Sequence, residues 1–141
     1  VRVHSLTSSA ARYALAGAAT ILLAFGATAC GAESSNLSEV AQRGKSTASS
    51  AGCASCHGAN GQGGIGPSWI DLAGSDVELK VDGGGTETVV ADRAYLLRSI
   101  LDPSAEEVAG YELKMPSNGL TEDQAADVVS YIEELTSVPT T

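Results

Sequence analysis

The clearest hydrophobic period lies near the C-terminal end of the chain. Ala125, Val128, Val129, Ile132 and Leu135 recur at helical spacing, with Tyr131 at the flank. Thr121-Glu122-Asp123-Gln124 precedes them and fits a capping box. A second helical stretch opens at Asp92 and runs from Arg93 to about Leu101, with Leu96, Leu97 and Ile100 on its inner face. Asp102-Pro103 stops it, because the residue before a proline is pushed out of the helical region. Ser104 to Ala109 is expected to add another turn. An earlier helix, Leu37 to about Ala51, carries a weaker stripe of Leu37, Val40, Ala41 and Ala48. Asn36 or Ser38 would cap it, and Gly52 ends it. The pair Gly44-Lys45 allows a second helix to come close. The closing helix should cross this one, since each must bury one face. Val77 to Val81 alternates apolar and polar residues, and Thr86 to Val90 can pair with it across Asp82-Gly83-Gly84-Gly85. An isolated hairpin is marginal, so this one must lean on the rest. No chemistry is assigned to it.

The pattern at the other end is of a different kind. Residues 1–12 carry Arg2, His4 and Arg12 and no acid, and Tyr13 to Ala29 follow without a charge. A basic start, an apolar middle and small residues at the end describe a secretory signal over residues 1–29. Ala27-Thr28-Ala29 fits the small-x-small cleavage rule and Cys30 follows, a junction that resembles a bacterial lipobox. Lipidation at Cys30 is the first expectation. Cleavage without lipid, or an uncleaved anchor of 17 residues at the short end for a spanning helix, are the alternatives. Residues 30–36 then form a polar tether. Its last six residues span at most about 20 Å, which keeps the following domain close to the bilayer. Residues 37–136 form that domain, and 137–141 are a disordered tail. All three outcomes place it outside the cytoplasmic membrane.

Composition changes this picture in two ways. Aromatic residues make up only 4% of the chain, so a small domain of this kind builds a thin core. A large buried apolar cofactor would make up the deficit, and the protein without it is expected to be poorly folded. The formal charge is −9, and removal of the leader with Arg2 and Arg12 leaves six basic against seventeen acidic side chains. An acidic surface disfavours nucleic acid and anionic lipid, and it either steers the domain to a basic docking patch or serves solubility.

Cys53-Ala54-Ser55-Cys56-His57 carries the chemistry. A C-x-x-C-H run reads as an attachment site for c-type haem. Two thiols three positions apart can each add to one vinyl group, and His57 is then held as an imidazole ligand to the iron. A zinc site needs four ligands, and beyond this motif only Cys30 and His4 remain. A thiol-redox site would sit beside a βαβ pattern, which is missing. The glycine-rich run Gly58 to Pro67 has no preceding strand and no Gly-Lys-Ser/Thr, so a phosphate loop fails. Its glycines suit close packing of backbone against a flat macrocycle. Met115 is the only methionine and stands before Pro116 on an extended segment. Core packing is the usual role of a lone methionine. Here a haem motif makes it a candidate sixth ligand, with Lys114 or an open site as the alternatives.

Together these residues resemble a class I cytochrome c from about Gly44 to Leu135. The fixed points are Cys53, Cys56 and His57, then Gly66-Pro67, then Met115-Pro116, then the closing helix. The resemblance implies a mainly all-α fold of three to five helices around one covalent haem c, here with a small β-hairpin insertion. It also implies thioether bonds at Cys53 and Cys56, iron ligation by His57 and Met115, and a Pro67 carbonyl that accepts the His57 ring N–H. More narrowly, Asp92 to Pro103 and Val108 to Pro116 resemble the haem domain of subunit II in some bacterial haem-copper oxidases. The aromatic often found before the haem motif is missing, with Ala48 near its place. The chain is too short to hold a copper-binding domain ahead of the haem domain, so an intact subunit II is not expected.

The expected function is therefore non-enzymatic. It is a membrane-tethered mono-haem electron carrier in a respiratory chain. The resemblance implies a quinol-oxidising complex as donor and a terminal haem-copper oxidase as acceptor. A tightly bound haem subunit of an oxidase is the alternative. A peroxidase or gas sensor would want a distal acid–base group such as histidine, and none remains after the leader. A thiol protein working through Cys53 and Cys56 is a further reading. Trp69, Arg98 and Tyr111 could reach haem propionates, but packing or a solvated charge fits each as well.

Overall fold

The computed structural model describes residues 37–136. The expected signal, lipid site and tether at 1–36 and the tail at 137–141 lie outside the described residues. Four helices and one hairpin appear: α1 (Glu39–Ser50), α2 (Ala54–His57), β1 (Asp76–Lys80), β2 (Thr86–Val90), α3 (Arg93–Leu101) and α4 (Glu122–Glu134). The fold is mainly helical, as expected. No helix among the described residues is long and apolar enough to cross a membrane.

Local chemistry accounts for the helix ends. Ser38, one of the two expected caps, caps α1 by accepting the N–H of Ala41 at 3.2 Å. Asp92 caps α3 through the N–H of Tyr95 at 2.8 Å. Thr121 and Gln124 form both halves of the capping box on α4. Such caps satisfy backbone donors that a helix start leaves without partners.

The core forms where α1 crosses α4. The buried face of α1 is Ala41, Gly44 and Ala48, while Val40 points largely to solvent at 39% exposure. Small residues are buried here because the two backbones nearly touch. A Cβ at Gly44 would lie 1.9 Å from the carbonyl oxygen of Asp127. From α4 come Ala125, Val128, Val129, Tyr131 and Ile132, all buried, so Tyr131 belongs to the stripe and does not merely flank it. The helices run in opposing senses. Ser38 at the start of α1 donates its N–H and hydroxyl to Glu134 at the end of α4, at 2.8 and 2.6 Å. Arg43 meets Asp127 with two hydrogen bonds of 3.1 Å. Helix α3 packs on α4 through Tyr95, Leu96 and Ile100, and Arg93 reaches Glu133.

The hairpin pairs Asp76 with Val90 through to Lys80 with Thr86, antiparallel. Alternation puts Val77 and Leu79 into the core, where Leu79 is only 1% exposed. Its outer face is braced by Glu78, which accepts from the hydroxyls of Thr86 and Thr88. The Ser104–Ala109 stretch forms no single continuous turn: it turns at Ser104 and again at Ala109. Between them, Val108 bridges to Leu79 along the free edge of β1.

Candidate functional site

Helix α1 ends at Ser50, and the chain turns back on itself through Gly52. The N–H of Cys53 donates to the carbonyl of Ala48 at 2.9 Å, which tucks α2 beneath α1. One helical turn then carries Cys53 at its cap, Cys56 and His57. The two cysteines are half-buried and not joined to each other. Burial pushes the Cys53 thiol up, against a smaller lowering by a backbone hydrogen bond, and Cys56 adds to the rise. A reactive redox cysteine shows the opposite shift, a lowered pKa. The thiol-exchange reading is weakened accordingly.

His57 is buried and held on two sides. Its Nδ1 lies 2.8 Å from the carbonyl oxygen of Pro67. A carbonyl can only accept, so Nδ1 carries the proton and Nε2 keeps its lone pair. Burial lowers the pKa of His57, and the Pro67 carbonyl partly offsets this. The favoured state is a neutral imidazole in one tautomer, which is what a metal ligand requires. Trp69 stacks on the ring with centroids 4.6 Å apart and planes 24° from parallel. Tyr131 of α4 meets Trp69 edge-on at 6.2 Å.

The glycine-rich run wraps the histidine. Gly66 approaches so closely that a Cβ there would sit 3.1 Å from His57 Cε1 and 3.4 Å from the Cβ of Cys56. The Gly66 N–H donates to the Cys56 carbonyl at 3.0 Å, and the Gly63 N–H to the His57 carbonyl at 2.7 Å. The contact that glycine permits at position 66 is thus with the His57 ring and its turn.

A cavity of about 430 Å³ opens beside His57, walled by Trp69, Val77, Leu96 and Ile100 and reaching Met115. A second, of about 120 Å³, is lined by Cys53, Cys56, His57, Ile65 and Met115. Both share His57, Pro67 and Met115 as lining. The crevice therefore has mostly apolar walls, two thiols at one edge, an imidazole nitrogen with a free lone pair, and a thioether. These donors fit a covalently attached haem iron, and the volume suits a cofactor site, for which about 300–1,000 Å³ is usual.

Trp69 was not separable from a core residue by its spacing. The signal available was its place two residues after Pro67, whose carbonyl holds His57. Of the other two candidates, Arg98 pairs with Glu106 at 2.9 Å and lies over the ring of Tyr95. Tyr111 lines the larger cavity, and its carbonyl accepts from Lys80.

A comparison of the chain with curated proteins gives no match. Against family models, that of cytochrome c matches residues 41–136, which takes in all of α1 but its first two residues, the rest of the fold through α4, and every described residue of the crevice. With more than half of the chain matched and a C-x-x-C-H turn facing an apolar crevice, the chain belongs to the cytochrome c family, and its cofactor is covalently attached haem c.

Proposed function

We propose that this protein is a membrane-tethered, mono-haem electron carrier working between a quinol-oxidising complex and a terminal haem-copper oxidase. Haem-based electron transfer is the function its family implies. When bound, the haem supplies a one-electron couple, and the protein sets its potential through axial ligands, burial and hydrogen bonds.

In this reading Cys53 and Cys56 form the thioether bonds. His57 ligates through Nε2, with its tautomer fixed by the Pro67 carbonyl and its plane by Trp69. Met115 would supply a thioether ligand to the iron, which would raise the potential and leave no open position for substrate. Cys30 carries the lipid. The observation that carries the proposal is the His57 ring, neutral and pinned at 2.8 Å, facing a crevice that Met115 also lines. Ile65 and Leu113 support partner docking beside the Cys53–Cys56 edge. They are 59% and 66% exposed on the rim of the smaller cavity. Surface of this kind favours brief apolar contact with another protein.

A redox-titrated absorption spectrum of the mature protein, with its mass, tests the proposal. The expected mass is that of the chain from Cys30 with one haem and a lipid. The oxidised protein should show the weak near-infrared sulfur–iron band. Met115→Ala should abolish that band and lower the potential, within the roughly 0.8 V that axial ligation spans. A wild type without the band, or without pigment, refutes the reading.

A further inference from the structure

Met115 sits on a segment with no helix or strand of its own. Its support comes from two places. On the N-terminal side the chain lies along the free edge of β1. The Lys80 N–H donates to the Glu107 carbonyl and the Ala109 N–H to the Glu78 carbonyl, both at 2.8 Å, with Leu79 bridging Val108. The Lys80 ammonium then donates to the Tyr111 carbonyl at 2.9 Å and lies 3.5 Å from a carboxylate oxygen of Glu107. Glu107 in turn pairs with Lys114, the residue before Met115. On the C-terminal side the Asn118 amide donates to the Ile100 carbonyl at 2.8 Å. Among the described residues, no backbone–backbone hydrogen bond falls between Tyr111 and Ser117. Met115 is thus carried on a short span between two anchors.

We infer that the hairpin is a strap for this loop, and that Lys80 is a positioning residue that holds the Met115 thioether in the crevice. The inference rests on Met115 as the axial ligand. The strap is rigid where it needs to be. Leu79 is locked in the core, and Glu78 is tied to Thr86 and Thr88 on the outer face. Lys80 follows both, so its ammonium is delivered from a fixed base. It fastens the loop at two points four residues apart, the Glu107 carboxylate and the Tyr111 carbonyl. A thioether is a neutral, exchangeable ligand. Its occupancy depends on how rarely the loop opens.

An external ligand measures that opening. Its apparent affinity for the oxidised iron scales with the open fraction. Lys80 is 44% exposed, so loss of its contacts should raise that fraction by roughly three- to tenfold, less than a buried charge would give. The test is imidazole titration of the oxidised, haem-loaded protein as wild type, Lys80→Met, Lys80→Arg and Lys45→Met. Lys80→Met should bind imidazole about three- to tenfold more tightly and speed hydrogen exchange at the Ala109 amide, with little change in the urea midpoint. Lys80→Arg keeps a donor and should restore most of the wild-type affinity. Lys45→Met removes the same charge from α1, where Lys45 meets Asn60, and should stay within about twofold of wild type. Lys80→Met within twofold of wild type, or Lys45→Met moving as far, overturns the strap. A wild type lacking the sulfur–iron band overturns instead the assignment of Met115, and with it what the strap would hold.

Discussion

Replacing Gly44 by alanine should weaken the whole fold, although alanine is the better helix former. The added Cβ would stand 1.9 Å from the carbonyl oxygen of Asp127, 2.5 Å from its carbon and 3.0 Å from the Cβ of Tyr131. An ordinary carbon–oxygen contact needs about 3.3 Å, so α1 and α4 must part by roughly 1.4 Å. Two of the three atoms are backbone inside a helix and cannot turn aside. Parting the helices also loosens Tyr131, Val128 and Ala41, which are now buried against the crossing. Overpacking a tight core costs about 1–3 kcal/mol, and the lack of any flexible neighbour puts this site at the upper end. Gly→Ala returns up to about 1 kcal/mol of helix propensity. The net is a loss of about 2 kcal/mol, against a total of roughly 5–15 kcal/mol for a domain of this size.

Urea unfolding of the haem-loaded protein, followed by helical circular dichroism, reads this directly. With a slope of about 1–3 kcal/mol per molar urea, the midpoint should fall by roughly 0.7–2 M. Ser49→Ala on the exposed face of α1 is the control and should stay within about 0.5 kcal/mol. A Gly44→Ala protein as stable as wild type, or more stable, would mean that the two backbones do not meet at this position.

Two further outcomes follow from the same interactions. Ser38 hydroxyl and then Ser38 N–H hold the Glu134 carboxyl below the ordinary carboxylate range, with a small opposing effect of burial. Because the folded pKa is the lower one, this stabilisation is present above the unfolded value of about 4.3 and fades as pH falls through the folded value. Ser38→Ala should therefore lose about 1 kcal/mol of capping at every pH. Its gap to wild type, larger than this above about pH 4 because the Ser38 hydroxyl's hold on Glu134 is lost as well, should shrink toward it below about pH 4 in acid-unfolding curves. Asn118→Ala removes the donor to Ile100 and the acceptor for the Leu120 N–H. It should cost about 1–2 kcal/mol in urea and tighten imidazole binding to the oxidised protein, since it cuts the other end of the Met115 span.

How far the fold could be read from the chain depended on where each element's information lies. Helices α3 and α4 were legible to within a residue or two, because Asp92, Pro103 and the Thr121–Gln124 box are local signals. The hairpin was legible for the same reason. The face of α1 was misjudged at Val40, since apolarity predicts burial only when side chains fill the space between elements. Where two backbones touch, the smallest residues are buried, and Ala41, Gly44 and Ala48 hold the seam. The attachment motif was legible as chemistry, because three residues at one spacing carry it. The stacking of Trp69 on His57 and the strap over the Met115 loop were not. Both join residues 12 or more positions apart, and no local period encodes such a register.

The crossing and the haem site are one mechanical unit. Gly44 lets the Cβ of Tyr131 come to the seam, the ring of Tyr131 meets the face of Trp69 edge-on, and Trp69 stacks on His57, whose Nδ1 is fixed by Pro67. Each link is a contact between rigid groups, so a displacement at one end has few rotamers in which to dissipate. The crevice side behaves differently. The segment that carries Met115 is tied down by hydrogen bonds and ion pairs of exposed side chains on either side of it, which yield at low cost. On the proposed reading, the histidine is placed by packing and the methionine by the strap. Core substitutions should move stability and the histidine side together. Changes in Lys80 should move ligand exchange at the methionine side more than they move folding, whereas Asn118→Ala should move both.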